Sequence, residues 1–170
     1  YIAISTMRRT IPNNEKRIHL DVYPEDLEEM NNHITNPEEY ILIHPGRGWP
    51  SKTFPADWWC KVTEGFSKNN KVAIIGKHIG KDQGYLEYSV PEGVLDLRDM
   101  LSLGGSIALI SKAKALVSND SAPIHIAGAF DNWIFLIPSC KHPDHLFPWR
   151  YNTQYYKTAA FYKKLTCYAF

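Results

Sequence analysis

The chain has 170 residues, of which 44% are hydrophobic, and this length suits one domain with a core large enough to fold alone. Its 19 basic and 18 acidic residues leave a formal net charge of +1, so no general positive field attracts nucleic acid or an anionic membrane. An anionic ligand therefore has to be bound locally. The apolar runs, such as Trp133 to Pro138, are far shorter than the roughly 20 residues that a membrane-spanning helix needs.

Three widely spaced cysteines, Cys60, Cys140 and Cys167, do not have the pattern of a disulfide framework and favour a reducing compartment. The first residues lack the pattern of a signal peptide, and Tyr1 stands where an initiator Met would, which suggests an excised or processed piece. We expect a cytoplasmic protein, with peripheral attachment to the inner membrane face as an open alternative.

In chain order, residues 1–39 are polar and mixed and are predicted to be a linker or inter-domain segment, with a short strand at Ile18–Val22 and a helix from Pro24. From residue 40 to 150, β-branched runs alternate with helical patterns, which predicts a doubly wound α/β domain with a parallel sheet. Residues 151–170 form a C-terminal extension whose periodicity does not separate helix from strand. The predicted strands are Tyr40–His44, Lys71–Ile75, Val94–Leu97, Ala115–Ser118 and Trp133–Ile137.

Three helices are predicted between these strands. Pro55 suits the first turn of the first helix, whose apolar stripe has helical spacing: Trp58, Trp59, Val62 and Phe66. Ser102 is the expected N-cap of the second helix, and Pro123 lies in the first turn of the third, directly after the fourth strand. The two adjacent tryptophans are predicted to pack in the core rather than to form a carbohydrate platform.

The loop after the first predicted strand combines glycines with cations and leads into a helix. It reads HPGRGWPSKTFP from His44 to Pro55. Glycines let backbone N–H groups approach a phosphate, the helix start adds a positive dipole end, and Lys52 adds a full charge. Alone, the loop is equally well explained as an ordinary connection, and it matches neither the P-loop nor the dinucleotide-binding glycine pattern.

The loop after the fourth predicted strand is the second candidate. It reads SNDSAPIH from Ser118 to His125, so small polar residues pass directly into a helix start. The N–H groups near Ser121 and Ala122 and the Ser121 hydroxyl suit phosphate oxygens, and His125 lies one turn on along the same face. A capping residue and a half-buried histidine explain the same residues without a ligand. Together the two loops favour a diphosphate site, because ligands of open parallel sheets bind beyond the carboxyl ends of the strands.

In their order and spacing these motifs resemble glycosyltransferase family 9, the heptosyltransferase-like enzymes of lipopolysaccharide synthesis. The similarity covers residues 40–150 and rests on three segments: His44–Gly46 through Ser51–Lys52 to Phe54–Pro55, then Val94–Leu103, then Asn119–Ala127. It implies the C-terminal, donor-binding half of a GT-B enzyme, in which two Rossmann-like domains face each other across a cleft. An ADP-sugar such as ADP-heptose would be held mainly by this half.

The resemblance also implies roles for individual residues. One group would contact or neutralise the diphosphate: Arg47, Gly48, Lys52, Asp120, Ser121, Ala122 and His125. Leu101 and Ser102 would bracket the base. Ala122 stands where the family usually has Gly, and Asp82 is the available acid where the family often has a Glu for the ribose hydroxyls.

The implied reaction is transfer of a sugar from a nucleoside diphosphate to a hydroxyl of a glycan or glycolipid. Lys52 is the candidate catalytic residue, since it would stabilise negative charge on the departing diphosphate. The general base would lie in an N-terminal acceptor domain outside this chain, so the chain alone is expected to bind donor weakly and to transfer little or nothing. No cofactor, metal or nucleic acid partner is implied.

Two alternatives stay open: a non-catalytic nucleotide- or sugar-recognising module with the same fold, and a different GT-B enzyme such as an epimerase acting on a nucleotide sugar. The segment with Cys140, His142 and His145 offers metal-ligating residue types. No fourth ligand is evident, so a loop that shapes the sugar pocket is the better interpretation.

Overall fold

The computed structural model describes residues 11–12, 15–46, 52–77 and 89–162. Its strands are β1 (Tyr40–His44), β2 (Lys71–Ile74), β3 (Leu95–Asp96), β4 (Ala115–Asn119), β5 (Trp133–Ile137) and β6 (Thr158–Ala160). Its α-helices are α1 (Pro24–Asn31), α2 (Ala56–Ser67), α3 (Leu103–Lys112) and α4 (Ala122–Ala127). Arg47, Gly48 and Asp82 lie outside the described residues.

Within the described part of the chain, the strands form one parallel sheet in the order β3-β2-β1-β4-β5-β6. Each of the first four strand-to-strand connections contains a helix or a long crossover, as parallel pairing requires. In register, His44 at the end of β1 lies beside Ser118 near the end of β4. This order is the doubly wound arrangement, so the α/β, Rossmann-like fold class is confirmed.

Alternate side chains of β1 belong to two core clusters, one on each face of the sheet. Ile43 shares a buried cluster with Trp59 of α2 on one face. Leu42 shares the other cluster with Leu109 of α3 and Ile124 of α4. Because successive residues of a strand point to opposite faces, this alternation requires helices on both sides of the sheet. Trp59 is only 2% exposed, which confirms that it is a core residue.

The predicted helices and most strand limits are confirmed, and the differences lie at the edges. Residues 18–22 carry no strand; the segment leads into α1, and Val22 packs against the core cluster instead of pairing with the sheet. The predicted strand from Val94 to Leu97 is reduced to Leu95–Asp96. The C-terminal extension supplies the sixth strand, Thr158–Ala160, which pairs with β5.

Arg150 secures this last strand. Its side chain is 2% exposed and donates to the carbonyls of Phe130, Asn132, Tyr156 and Lys157 at 2.5–3.1 Å. Carbonyl oxygens from two loops thereby replace the water that the buried guanidinium loses. The contacts lie before the start of β5 and β6, at the edge opposite the carboxyl ends of the strands, so the role of Arg150 is structural.

Candidate functional site

The order of the strands reverses between β1 and β4. From β1 the chain moves outward to β2 and β3, then returns to place β4 on the other side of β1. The loops after β1 and β4 therefore diverge to opposite faces of the sheet and leave a crevice at its carboxyl edge. In open α/β sheets this is the position where ligands bind.

An ion pair joins the two loops across this crevice. Lys52 Nζ, from the loop after β1, lies 2.5 Å from Asp120 Oδ2, from the loop after β4. The Lys52 side chain is 25% exposed and that of Asp120 7%, so the carboxylate lies at the base of the pair and the ammonium nearer to solvent. Lys52 is thereby held at the mouth of the crevice, where a ligand would enter.

Asn119 fastens the loop after β1 to the end of β4. Its side chain is fully buried, and Nδ2 donates to the carbonyl oxygens of Gly46 and Lys52, the latter at 2.9 Å. Both amide hydrogens are therefore used on one loop, and the Oδ1 atom faces the Ser121 hydroxyl at 3.0 Å. A single amide thus fixes the backbone on both sides of the segment that carries Arg47 and Gly48.

A histidine and two serines form a triangle below the start of α4. His44 Nδ1 lies 3.2 Å from Ser118 Oγ and 3.3 Å from Ser121 Oγ, and the two hydroxyl oxygens are 3.1 Å apart. Burial lowers the pKa of His44 from 6.5 to about 4. The imidazole is therefore neutral at physiological pH, with one nitrogen as donor and the other as acceptor.

Two glycines surround the His44 ring. A Cβ on Gly46 would lie 1.8 Å from His44 Cε1, and a Cβ on Gly76, whose φ is +114°, would lie 2.9 Å from His44 Cδ2. Gly46 therefore owes its place to the imidazole that packs against it, and not only to an approach of backbone to a phosphate. Gly76 is required in addition by its left-handed backbone.

A model of the family described as glycosyltransferase family 9 (heptosyltransferase) matches residues 5–155. The chain belongs to glycosyltransferase family 9. No curated protein matches its sequence well enough to count as a relative.

Solved structures of family 9 and heptosyltransferase proteins share the fold. A family 9 glycosyl transferase from Veillonella parvula DSM 2008 is 18% identical, with a TM-score of 0.67 over 85% of this chain and 42% of its own. The E. coli ADP-heptose lps heptosyltransferase II is 19% identical, with a TM-score of 0.63 over 88% and 46%. The E. coli heptosyltransferase WaaC with ADP is 16% identical, with a TM-score of 0.57 over 86% and 44%. At such identities the likeness shows the fold, and this chain spans less than half the length of each.

The structure brings together three of the predicted contacts to the diphosphate. Lys52, Asp120 and Ser121 lie at adjoining loop ends through the ion pair and the Asn119 contacts described above. Ala122 begins α4 and His125 lies one turn further, and both are exposed. For this family 9 chain, the assignment of all five to a diphosphate stays a prediction.

The residues predicted to bracket the base lie further along the same edge. Leu101 and Ser102 follow β3, two strands from β1, which corresponds to roughly 10 Å at ordinary strand spacing. The Ser102 hydroxyl caps α3 by accepting from Gly105 N at 3.0 Å, as expected. It also donates to Glu29 Oε2 of α1 at 2.5 Å, and this hydrogen bond lowers the pKa of Glu29. Ser102 is thus already engaged in joining α1 to α3.

Asn119 and His44 are two residues of the site that the sequence did not predict. Both belong to the candidate loops, but an amide and an imidazole at the ends of strands carry no motif of their own that predicts a role. The available signal was position. Each residue ends a buried strand and directly precedes a candidate loop, where a polar side chain has to find partners in the loops themselves.

The segment with Cys140, His142 and His145 follows β5 at the same edge. His142 Nδ1 lies 3.5 Å from Asp144 Oδ2, and its ring contacts those of His145 and Tyr162. Among the described residues, no group of three potential ligands is arranged to hold a metal ion. Nor does any described helix have the length and apolar character to cross a membrane.

Proposed function

We propose that this chain is the donor-binding half of a glycosyltransferase and that it binds a nucleoside-diphosphate sugar in the crevice between β1 and β4. The observation that carries the proposal is the Lys52–Asp120 ion pair, which joins the two candidate loops at the position where the strand order reverses. Membership of family 9 supports the same reaction class. The acceptor would be a glycan or a lipopolysaccharide-type glycolipid.

The ion pair suits a diphosphate because a lysine ammonium has three donors. Asp120 pairs with the ammonium by charge from the buried side, and the exposed side of Lys52 leaves its donors for phosphate oxygens. Asp120 would then orient the cation, while the Ser121 hydroxyl and the backbone at Ala122 would contact the diphosphate directly. Arg47, Gly48 and His125 would complete this end of the donor.

The adenine end would extend along the carboxyl edge towards β3. Leu101 and Ser102 lie in that direction, at a distance that a ribose and a base can bridge from the diphosphate. Two of the similar solved proteins are described with ADP or with ADP-D-beta-D-heptose, namely WaaC and the dodecameric TibC. We infer an ADP-sugar, ADP-heptose in particular, as the donor of this chain.

In the proposed reaction Lys52 acts on the leaving group. As the bond between the sugar and the diphosphate breaks, negative charge grows on the departing diphosphate, and a preorganised cation stabilises that charge more than it stabilises the bound donor. The base that accepts the proton of the acceptor hydroxyl would be supplied by an N-terminal acceptor domain. Transfer would take place at the cytoplasmic side of the membrane that holds a glycolipid acceptor.

Replacement of Lys52 by alanine is expected to weaken ADP binding by about 1–3 kcal/mol, or about 5- to 150-fold, because a charge-assisted contact to the diphosphate is lost. Isothermal titration calorimetry with ADP measures the effect. Lys61→Ala is the matched control, since Lys61 is 75% exposed on α2 and pairs with Asp57 across one turn. Equal affinities of wild type and Lys52→Ala would remove Lys52 from the site.

A further inference from the structure

His44 lies beneath the proposed diphosphate site in a fixed position. It is on the same face of β1 as Leu42, and its register partner is Ser118 on β4. Gly46 and Gly76 border the ring so closely that neither position has space for a Cβ. A side chain at either position would collide with the imidazole where it lies.

Around the triangle formed by His44 Nδ1, Ser118 Oγ and Ser121 Oγ, hydrogen-bond acceptors outnumber donors. Both serine hydroxyls also lie near the Asn119 carbonyl oxygen, at 3.1 and 3.3 Å. Asn119 Oδ1 is turned towards Ser121, because Nδ2 is bound to the loop after β1. Among the described residues, the partners of the Ser121 hydroxyl other than the imidazole and Ser118 are therefore acceptors.

The tautomer of the neutral imidazole decides where the Ser121 proton points. If Nδ1 carries no hydrogen, it is one more inward acceptor and competes for the serine proton. If Nδ1 carries the hydrogen, it donates to the Ser121 oxygen at 3.3 Å, and the Ser118 hydroxyl, 3.5 Å from Asn119 Oδ1, supplies that buried oxygen with a donor. In this structure the Ser121 hydroxyl donates to Asn119 Oδ1 at 3.0 Å, and its proton can then turn to a phosphate oxygen while the imidazole holds the Ser121 oxygen in place.

The geometry points to His44 as a positioning residue that donates from Nδ1 to the serine pair and holds the Ser121 oxygen where its hydroxyl can donate to the donor diphosphate. The inference rests on the proposed function, since it concerns the same site. His44 does not touch the ligand; it acts through Ser121. The lowered pKa keeps the ring neutral throughout the physiological range, so the donor role does not vary with pH there.

A double-mutant cycle on ADP affinity separates this role from a general effect on packing. The variants are His44→Leu, which fills the space without a donor, Ser121→Ala, and the two combined. His44→Asn is the rescue variant, because its amide nitrogen can take the place of Nδ1. An NMR titration with ADP gives the dissociation constant of each, and a thermal melt records the change in stability separately.

We expect Ser121→Ala to weaken ADP binding about tenfold and His44→Leu about fivefold, as for loss of a hydrogen bond to a charged group. In the Ser121→Ala background His44→Leu should change the affinity less than about twofold, and His44→Asn should restore most of the lost affinity. Equal effects of His44→Leu with and without the Ser121 hydroxyl overturn the inference while the proposed function stands. Wild-type protein that does not bind ADP overturns both.

Discussion

Replacement of Asn119 by aspartate is expected to lower the free energy of unfolding by about 3–5 kcal/mol, the usual cost of an uncompensated buried charge. The side chain is fully buried, and its two amide hydrogens bind the carbonyl oxygens of Gly46 and Lys52. A carboxylate would place negative charge against both carbonyls and beside Asp120. Urea denaturation at pH 8, followed by circular dichroism, measures the loss.

Two comparisons isolate the buried charge at position 119. Asn152→Asp makes the same chemical change at an exposed loop residue and should alter stability by no more than about 0.5 kcal/mol. The deficit of Asn119→Asp should shrink as the pH falls, since protonation removes the charge and returns one donor. An Asn119→Asp variant as stable as wild type at pH 8 would show that the amide does not hold the loop after β1.

The protein is also expected to lose stability in acid, because of His44. The pKa of His44 is lowered from 6.5 to about 4 by burial, so the folded protein takes up this proton less readily than the unfolded chain. Above pH 6.5 the His44 ring does not reduce the free energy of unfolding. As the pH falls from that value towards 4, the free energy of unfolding decreases. The full loss attributable to His44 is about 3 kcal/mol, since each pKa unit corresponds to about 1.4 kcal/mol.

The free energies of unfolding of wild type and His44→Asn, measured at several pH values between 7.5 and 4, give two curves. The difference between the curves is the contribution of His44. Wild type should lose about 3 kcal/mol more than the variant over that range. His19→Asn makes the same substitution at an exposed position and is the matched control. Parallel curves for wild type and His44→Asn would mean that the ring is not held neutral by the fold.

Most of the fold was predictable, because the pattern of hydrophobic residues along the chain specifies its strands and helices. The β1 and β5 limits, Tyr40–His44 and Trp133–Ile137, follow from β-branched and aromatic runs bounded by polar residues. The α2 stripe and the Ser102 cap follow from helical spacing and capping chemistry. Family 9 membership was likewise predictable, because the motifs of the two candidate loops stand in the order and spacing of the family.

What sequence could not supply depends on contacts between distant segments. Strand β6 is held by the buried Arg150, whose carbonyl partners come from two loops, and no local pattern at Thr158–Ala160 specifies that. The Lys52–Asp120 pair and the hydrogen bonds from Asn119 to the loop after β1 join residues 67 or more positions apart. Gly46 was attributed to phosphate approach, and only the fold shows the His44 ring against it.

The most direct test is a crystal structure of this chain with ADP. We expect the diphosphate to lie in the crevice between β1 and β4, within hydrogen-bond distance of Lys52 Nζ and the Ser121 hydroxyl, with the adenine directed towards Leu101. A diphosphate bound away from both loops, or the Lys52–Asp120 crevice left empty at saturating ADP, would contradict it.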